Sequence, residues 1–219
     1  MARKSKEEAE KTRTRILASA LSLFAKKGYD HVTFNDIAAR LKMTTGAVYW
    51  HFDSKEALIV ELVRLALEKF RRQLEGMMPE GELTFPAVAE MMVRNAQGVV
   101  DDPKGRAFFQ LMHCEIRWSD ESMASVRDQL LKDKDVGPRA AFQRALENDI
   151  AAGRIRKDVN PLSVSSAAIA LWDGLVKARI DNFLECDLAS TLKNFYAGMW
   201  GSLKAGKRFK SKERRAKTK

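Results

Sequence analysis

Residues 33–58, TFNDIAARLKMTTGAVYWHFDSKEAL, contain the clearest local signals of secondary structure in this sequence. Thr33 is followed three residues later by Asp36, which is the spacing of a capping box. Ile37, Ala38 and Leu41 then recur on one helical face. This pattern predicts a short helix at about 34–41.

A second short helix is predicted directly after the first. Thr44 is placed to cap a helix at 45–51, and the Asp53–Glu56 pair marks the start of a long helix that continues to about Leu74. Two short helices joined by a tight turn, with another helix packed behind them, are typical of a helix-turn-helix. In that motif the second short helix enters the DNA major groove.

The outer face of this second helix is the candidate DNA-reading surface. Val48 and Phe52 are four residues apart and are expected to face the core. An aromatic cluster at helical spacing is usually core, but so short a helix buries only one face. Hydroxyl, phenol and imidazole groups on the other face can contact phosphates or base edges, as can the ammonium of Lys55 nearby. The outward side chains are Thr45, Ala47, Tyr49, Trp50 and His51.

Composition limits the remaining possibilities. The 219 residues carry a net charge of +10, but the charge is segmental: residues 204–219 hold nine basic residues against one acidic residue, and residues 1–55 hold eleven against six. The sequence therefore excludes a protein that coats nucleic acid with positive charge spread evenly over its surface. Two cysteines without CxxC spacing indicate neither a disulfide framework nor a zinc site, and no metal or cofactor is expected. The charged N-terminus and short apolar runs predict a cytoplasmic protein without a membrane span.

The rest of the chain also follows helical periodicity, so the predicted fold class is all-α. A first helix is expected at about 7–27, ended by Gly28. We expect a helix-turn-helix domain at 1–55, a helical bundle for ligand binding and dimerisation at 56–203, and a basic disordered tail at 204–219. The helices predicted beyond Gly81 are 84–100, 104–117, 122–133, 137–152, 162–184 and 188–203.

Two sets of residues in the bundle are candidate sites. The 162–184 helix is apolar over about half of its circumference, so it can pack on its own domain and on a second copy. With 188–203 it is expected to form a four-helix dimer interface that contains Trp172, Val176, Ile180 and Phe183. A hydrophobic small molecule is expected among the helices at 62–118, with Glu115 as the counter-charge of a cationic ligand. The residues predicted to bind it are Phe70, Phe108, Met112, His113, Glu115 and Trp118, although aromatic and Met side chains at this spacing are more often core.

The head resembles the tetracycline-repressor (TetR) family over roughly residues 12–63. The resemblance is carried by Thr33–Ala38, by Gly46–Phe52 and by Ser54–Leu58, and residues 2–13 are further similar to repressors of multidrug-efflux pumps. It implies a homodimer that binds a palindromic operator, a small inducer that releases the DNA, and regulation of an efflux or transport gene.

The resemblance also assigns roles within the head. It implies phosphate contacts from Thr33, Tyr49, His51 and Lys55, with Trp50 beside them. It implies base-edge contacts from Thr44, Thr45, Gly46 and Ala47. Two positions depart from the common family pattern: Lys42 replaces the usual turn glycine and adds a cation near phosphate, and Thr45 replaces Arg or Lys before Gly46, which removes a bidentate guanine contact.

Other functions were weighed against a ligand-responsive repressor. No glycine-rich phosphate loop, HExxH or GxSxG motif is present, and the neighbours His113 and Cys114 do not make a catalytic dyad, so an enzyme is not expected. The main alternative is a DNA-organising helix-turn-helix protein without ligand control, which the basic tail favours. A transcriptional activator remains a variant of the leading class.

Overall fold

A computed structural model describes residues 2–77, 82–132 and 137–204, and within these ranges the chain is built from helices. An isolated antiparallel bridge joins Ile155 to Lys204 at the end of the last helix. Residues 205–219, which make up nearly all of the predicted tail, lie outside the described residues. The helices are α1 (Ala2–Lys27), α2 (Phe34–Leu41), α3 (Thr45–Tyr49), α4 (Lys55–Met77), α5 (Phe85–Asp101), α6 (Pro103–Gln110), α7 (Ala124–Lys132), α8 (Pro138–Ala151), α9 (Pro161–Ile180) and α10 (Leu188–Leu203).

The all-α prediction is confirmed, and the local signals in the head act as expected. Thr33 and Asp36 form the predicted capping box at the start of α2. Lys42 ends α2 in the left-handed conformation, with φ of 56°. Its N–H and that of Met43 donate to the carbonyls of Ala39 and Ala38, as in a Schellman motif. The chain therefore turns sharply between α2 and α3.

The prediction for the start of α4 was wrong in its capping residue. Ser54, not Asp53, precedes the helix, and its Oγ accepts a hydrogen bond from the N–H of Ala57 at 3.2 Å. A serine at the N-cap satisfies one of the unpaired N–H groups of the first turn. The helix thus starts at Lys55, directly after the segment that follows α3.

Two hydrophobic cores organise the chain, and α4 contributes to both. The head core contains Phe24, Ile37, Val48, Phe52 and Leu58, together with Leu111 and Ile116 from the segment after α6. The bundle core is formed by α5, α8, α9 and α10 and also takes in Phe70 from α4. The N-terminal half of α4 is therefore anchored in the head and its C-terminal half in the bundle.

Two predicted helices end earlier than expected. The helix predicted at 104–117 is α6 to Gln110 followed by one π-helical turn, Leu111–Glu115. The helix predicted at 162–184 is α9, which ends at Ile180 because Asn182 adopts a left-handed φ of 61°. The N–H groups of Phe183 and Asn182 donate to the carbonyls of Ala178 and Arg179, which completes a second Schellman motif.

None of the helices within the described ranges is both long enough and apolar enough to cross a membrane.

Candidate nucleic-acid interface

The structure presents α3 to solvent on the face that the sequence predicted. Val48 is fully buried and Phe52 is 3% exposed, whereas Tyr49 is 55% and Trp50 74% exposed. The Tyr49 ring packs at 4.7 Å from the Phe34 ring, so the base of its phenol is held in place while its hydroxyl remains free to contact DNA. This outward arrangement of Tyr49 and Trp50 is confirmed.

The N-terminal end of α3 is rigid and free of bulky side chains. Thr44 caps the helix by accepting a hydrogen bond from the N–H of Ala47 at 3.2 Å. Gly46 is exposed, and a Cβ added there would meet nothing within 4 Å, so the protein itself gives no packing reason for a glycine. A missing side chain at this position allows the helix backbone to approach a base edge closely.

Thr45 has a partner that the sequence analysis missed. Its Oγ1 donates to Oδ1 of Asn35 on α2 at 2.5 Å. A threonine hydroxyl has one proton and two lone pairs, so this bond leaves the hydroxyl as an acceptor toward the outside. Asn35 lies ten positions away on another helix, and the spacing of residues gives no signal for such a contact.

Thr33 and Lys42, at the two ends of α2, differ in how well they can contact phosphate. The Thr33 hydroxyl donates to Oδ2 of Asp36 and also accepts from its N–H, so little of it remains for phosphate. Hydrogen bonds from Lys27 and Thr33 hold the pKa of Asp36 well below its usual range. Lys42 is exposed, and its left-handed backbone places it between α2 and α3. Of these residues, Lys42 is the one with a free charge next to the reading surface.

Lys55 is held at the start of α4. Its ammonium donates to the carbonyl oxygens of Tyr29 and Asp30 at 3.0 and 3.4 Å and lies 4.5 Å from the centre of the Tyr29 ring. An ammonium has three donors, so one remains for an outside acceptor. The predicted phosphate contact from Lys55 is thus geometrically available, from a fixed position.

A second residue that the sequence analysis missed holds the end of the recognition segment. Nη1 of Arg13 on α1 donates to the carbonyl of His51 at 2.9 Å, and its guanidinium lies 4.2 Å from the centre of the Phe52 ring. Nη2 of Arg13 pairs with Oε2 of Glu61 on α4 at 3.3 Å. Arg13 therefore ties the recognition segment to both α1 and α4.

The same arginine affects the charge of His51. Partial burial and the nearby Arg13 charge lower the pKa of the imidazole below its ordinary value. The shift favours the neutral imidazole in the DNA-free protein, and the ring packs against Trp50 at 4.6 Å. A neutral imidazole can still donate a hydrogen bond to phosphate.

The residues predicted for ligand binding are divided between the two hydrophobic cores. Phe70 is buried in the bundle core, whereas Phe108, Met112 and Trp118 pack against the head core, and the indole Nε1 of Trp118 donates to the carbonyl of Met112 at 2.7 Å. Periodicity identifies an apolar face but not the core that it joins.

The two ionisable members of that set also lie apart. His113 is exposed, stacks on Phe109 at 4.3 Å, and its Nε2 lies 3.6 Å from Oδ1 of Asp173. The side chain of Glu115 lies next to Gly28, at the end of α1 in the head. Its Oε2 is 3.1 Å from the position that a Cβ on Gly28 would take. The structure thus places Glu115 beside the head, where Phe108, Met112 and Trp118 also pack, and apart from Phe70 in the bundle core.

Two of the residues predicted for the dimer interface, Trp172 and Val176, are buried inside their own protomer, so the structure does not offer them to a second copy. Trp172 and Val176 point into the core of their own protomer, and Nε1 of Trp172 donates to the carbonyl of Met92 at 2.9 Å. Ile180 packs at the edge of the same core. Phe183 is 81% exposed but follows the end of α9. The apolar stripe of α9 that contains Trp172 and Val176 therefore packs on its own bundle.

Comparison with known proteins agrees with this geometry. The sequence profile of the tetR family of bacterial regulatory proteins matches residues 16–62, which span most of the head. The transcriptional regulator TtgR of Pseudomonas putida is 26% identical over 81% of this chain and 84% of its own. The probable acrEF/envCD operon repressor of Escherichia coli is 26% identical over 86% of this chain and 84% of its own.

A solved structure with a similar fold extends the likeness to the bundle. NalD of Pseudomonas aeruginosa, the secondary repressor of the MexAB-OprM multidrug efflux pump, has a TM-score of 0.72 and 23% identity, covering 91% of this chain and 98% of its own. The likeness therefore includes the arrangement of the bundle helices behind the helix-turn-helix. With its capped α2–α3 turn and exposed α3 face, the segment 16–62 is a helix-turn-helix domain of the tetR family, and the chain is similar to bacterial transcriptional regulators over four-fifths of its length.

Proposed function

We propose that this protein is a homodimeric transcriptional repressor that acts in the cytoplasm, binds a palindromic operator and releases it when a small molecule binds. The observation that carries the proposal is α3, a capped helix whose polar and aromatic face is exposed while its apolar face is fixed in the head core. The relative in Escherichia coli is named as a probable operon repressor. NalD represses a multidrug efflux pump, and by analogy we propose that this protein controls an efflux or transport gene.

Contacts to DNA divide into two groups by position. Tyr49, His51, Lys55 and Lys42 surround the helix and are assigned to phosphates, which set the register of the protein on the duplex. Thr44, Thr45, Gly46 and Ala47 lie at the N-terminal end of α3, the part of a recognition helix that meets base edges. Trp50 is assigned to the sugar-phosphate wall of the groove, and Thr33 to the support of the turn.

Dimerisation is assigned to the faces of α9 and α10 that point away from the bundle core. Gly174 on α9 and Gly198 and Gly201 on α10 have nothing within 4 Å of an added Cβ. Glycine inside a helix costs about 1 kcal/mol relative to alanine, and the protomer offers no packing reason for that cost here. Close approach of the same two helices from a second copy supplies one, and a two-fold axis then matches a palindromic operator.

The proposed functions are divided between the two domains, each of which has its own hydrophobic core. We assign DNA binding to residues 1–55 and ligand binding with dimerisation to residues 56–203, and α4 connects them because it is packed in both cores. The basic segment at 204–219 is assigned to nonspecific attraction to the DNA backbone.

Selection of binding sites from random double-stranded DNA tests the proposal. We expect the full chain to enrich one palindrome, to bind it as two protomers by sedimentation, and to lower transcription in vitro from a promoter that contains it. Enrichment of no palindrome, or binding as a single protomer, would contradict the proposal.

A further inference from the structure

A cleft of about 490 Å³ separates the C-terminal half of α4 from α5 and the start of α6. Its volume lies within the range of small-molecule sites. Met91, which is 3% exposed, and Val99 form an apolar floor, while Lys69 and Gln73 from α4 and Asn95 from α5 stand on the walls. At the far end, a Cβ on Gly105 would lie 3.1 Å from Cα of Val99, so α6 packs closely on α5 and closes the cleft there.

The polar groups around this floor are mostly donors. Within the described part of the chain, the Lys69 ammonium and the side-chain amides of Gln73 and Asn95 make no hydrogen bond or ion pair. The guanidinium of Arg94 also lines the cleft, with its Nε 4.0 Å from Oε1 of Glu90. The Lys69 ammonium and the two amides, beside an arginine that is already paired with Glu90, offer donors that match the oxygens of an anionic group.

The single carboxylate in the lining does not reverse this preference. Asp102 caps α6, and its Oδ1 accepts a hydrogen bond from the N–H of Lys104 at 3.0 Å. A negative charge at this position is offset by the positive end of the helix dipole. The Lys69 ammonium has no such local compensation on α4.

The other cleft in the bundle is less suited to control of the head. It measures about 290 Å³, lies between α5 and α10, and is lined mainly by apolar side chains such as Phe85, Ala89 and Trp200. It does not touch α4. An occupant there has no direct contact with the helix that enters the head core.

We propose that the cleft between α4 and α5 binds a small amphipathic anion, such as a medium-chain carboxylate, and that this anion is the effector of the repressor. This inference rests on the proposed function and names the ligand class for it. The carboxylate pairs with Lys69 and Arg94 and accepts hydrogen bonds from Gln73 or Asn95, and the apolar chain lies over Met91 and Val99. This hypothesis differs from the sequence-based expectation of a cationic ligand paired with Glu115, which does not line this cleft.

The position of the cleft gives the anion control over DNA binding. Lys69 and Gln73 are on the same helix as Leu58 and Leu62, which are buried in the head core. An occupant that sets the spacing between α4 and α5 therefore also sets the position of the head. If the anion binds the DNA-free protein more tightly than the DNA-bound protein, thermodynamic linkage requires it to weaken operator binding. The ratio of the two anion affinities equals the factor by which operator affinity falls.

Equilibrium dialysis of the full chain against octanoate, octylammonium and octanol, which share one apolar chain, tests the ligand class. We expect saturable binding of octanoate, and at least tenfold weaker binding of octylammonium and octanol. Octanoate is then expected to lower affinity for the selected operator. Equal or tighter binding of octylammonium, or no saturable binding of octanoate, would overturn the proposal.

A pair of double variants separates the site from general charge. Lys69→Gln with Arg94→Gln should weaken octanoate binding at least tenfold. Arg71→Gln with Arg72→Gln removes the same charge from residues of α4 that pair with Glu75 and Glu68 outside the cleft, and should change octanoate binding less than twofold. Unchanged binding in the first variant, or an equal loss in both, would overturn the anion site. Operator binding by ligand-free protein is measured separately, so the repressor proposal stands or falls independently.

Discussion

At the scale of single residues, the hydroxyl of Thr45 has one proton, and Asn35 accepts it. In the proposed complex the hydroxyl therefore meets DNA as an acceptor. Among major-groove edges, only the amino groups of adenine and cytosine can donate to it. The base preference of the protein at this position thus follows from a side chain on α2 that does not itself need to touch DNA.

Substitutions of Thr45 and Asn35 test whether the Thr45 hydroxyl accepts a hydrogen bond from a base. Thr45→Val removes the hydroxyl while keeping the shape, and should erase preference for adenine or cytosine at one base pair, a loss of about 1 kcal/mol in discrimination. Asn35→Ala frees the proton and should broaden the preference to bases with acceptors. Site selection with each variant measures both effects. An identical base preference in wild type and both variants would disprove the contact.

Arg13 holds the segment after α3 in place through its hydrogen bond to the His51 carbonyl. Arg13→Gln should lower affinity for operator and nonoperator DNA alike by about tenfold, because charged hydrogen bonds are worth about 1.5–3 kcal/mol and the loss loosens the segment that positions Tyr49 and His51. Fluorescence anisotropy with both DNAs measures it. Arg13→Lys keeps the charge opposite Glu61 and should recover part of the affinity.

Arg15→Gln is the matched control for this prediction. It removes the same charge from an exposed position on α1. If both variants lose equal affinity, Arg13 contributes charge alone and the positioning role is contradicted.

At the scale of elements, the capping box of α2 links helix stability to pH. The pKa of Asp36 is held low by Lys27 and Thr33, so this carboxylate stabilises the fold above the ordinary pKa of aspartate, about 3.9, and the contribution is lost as pH falls through the lower folded pKa. Asp36→Asn should therefore lower the urea midpoint at pH 7, and the difference from wild type should shrink at pH 3.

Asp53→Asn is the control for that experiment. Asp53 is exposed, and the capping contact at the start of α4 belongs to Ser54. Its substitution should leave the urea midpoint within error of wild type at both pH values. A constant difference for Asp36→Asn from pH 7 to pH 3 would contradict the role of the carboxylate.

The elements of the head could be predicted because their signals are local. The Thr33–Asp36 cap, the Thr44 cap and the left-handed Lys42 all arise within a few residues of one another. Contacts such as Arg13 with the His51 carbonyl join residues 38 positions apart, and no spacing rule identifies them.

The bundle was predictable as helices but not as a site. The apolar stripe of α9 is visible in the sequence, yet periodicity does not tell whether Trp172 meets its own bundle or a second copy. For the same reason, the predicted ligand-binding residues were distributed between two cores. The cleft residues Lys69 and Arg94 resemble any solvated charges in the sequence, and only the cleft that they line in the structure brings them together.

At the scale of the whole molecule, two copies must present two recognition helices to one operator. Gly198→Leu should raise the stability of the isolated protomer, because leucine is a better helix former and nothing lies within 4 Å of its Cβ. The same change should weaken dimerisation at least tenfold, because the side chain fills the face assigned to the partner. Thermal unfolding and sedimentation measure the two effects.

Gly174→Leu on α9 provides an independent check of the same face. It also meets nothing within 4 Å inside the protomer, so the same pair of opposite effects is expected. A dimer as tight as wild type in both variants would place the interface elsewhere.

We expect this chain to recognise a specific DNA sequence through α3. The affinity ratio between the selected palindrome and a scrambled duplex of equal length, measured over a range of salt concentrations, tests this expectation. We predict a ratio of at least about 10³ near physiological salt, with affinity for both duplexes falling as salt rises. A ratio near one at every salt concentration would contradict the claim and identify a DNA-organising protein instead.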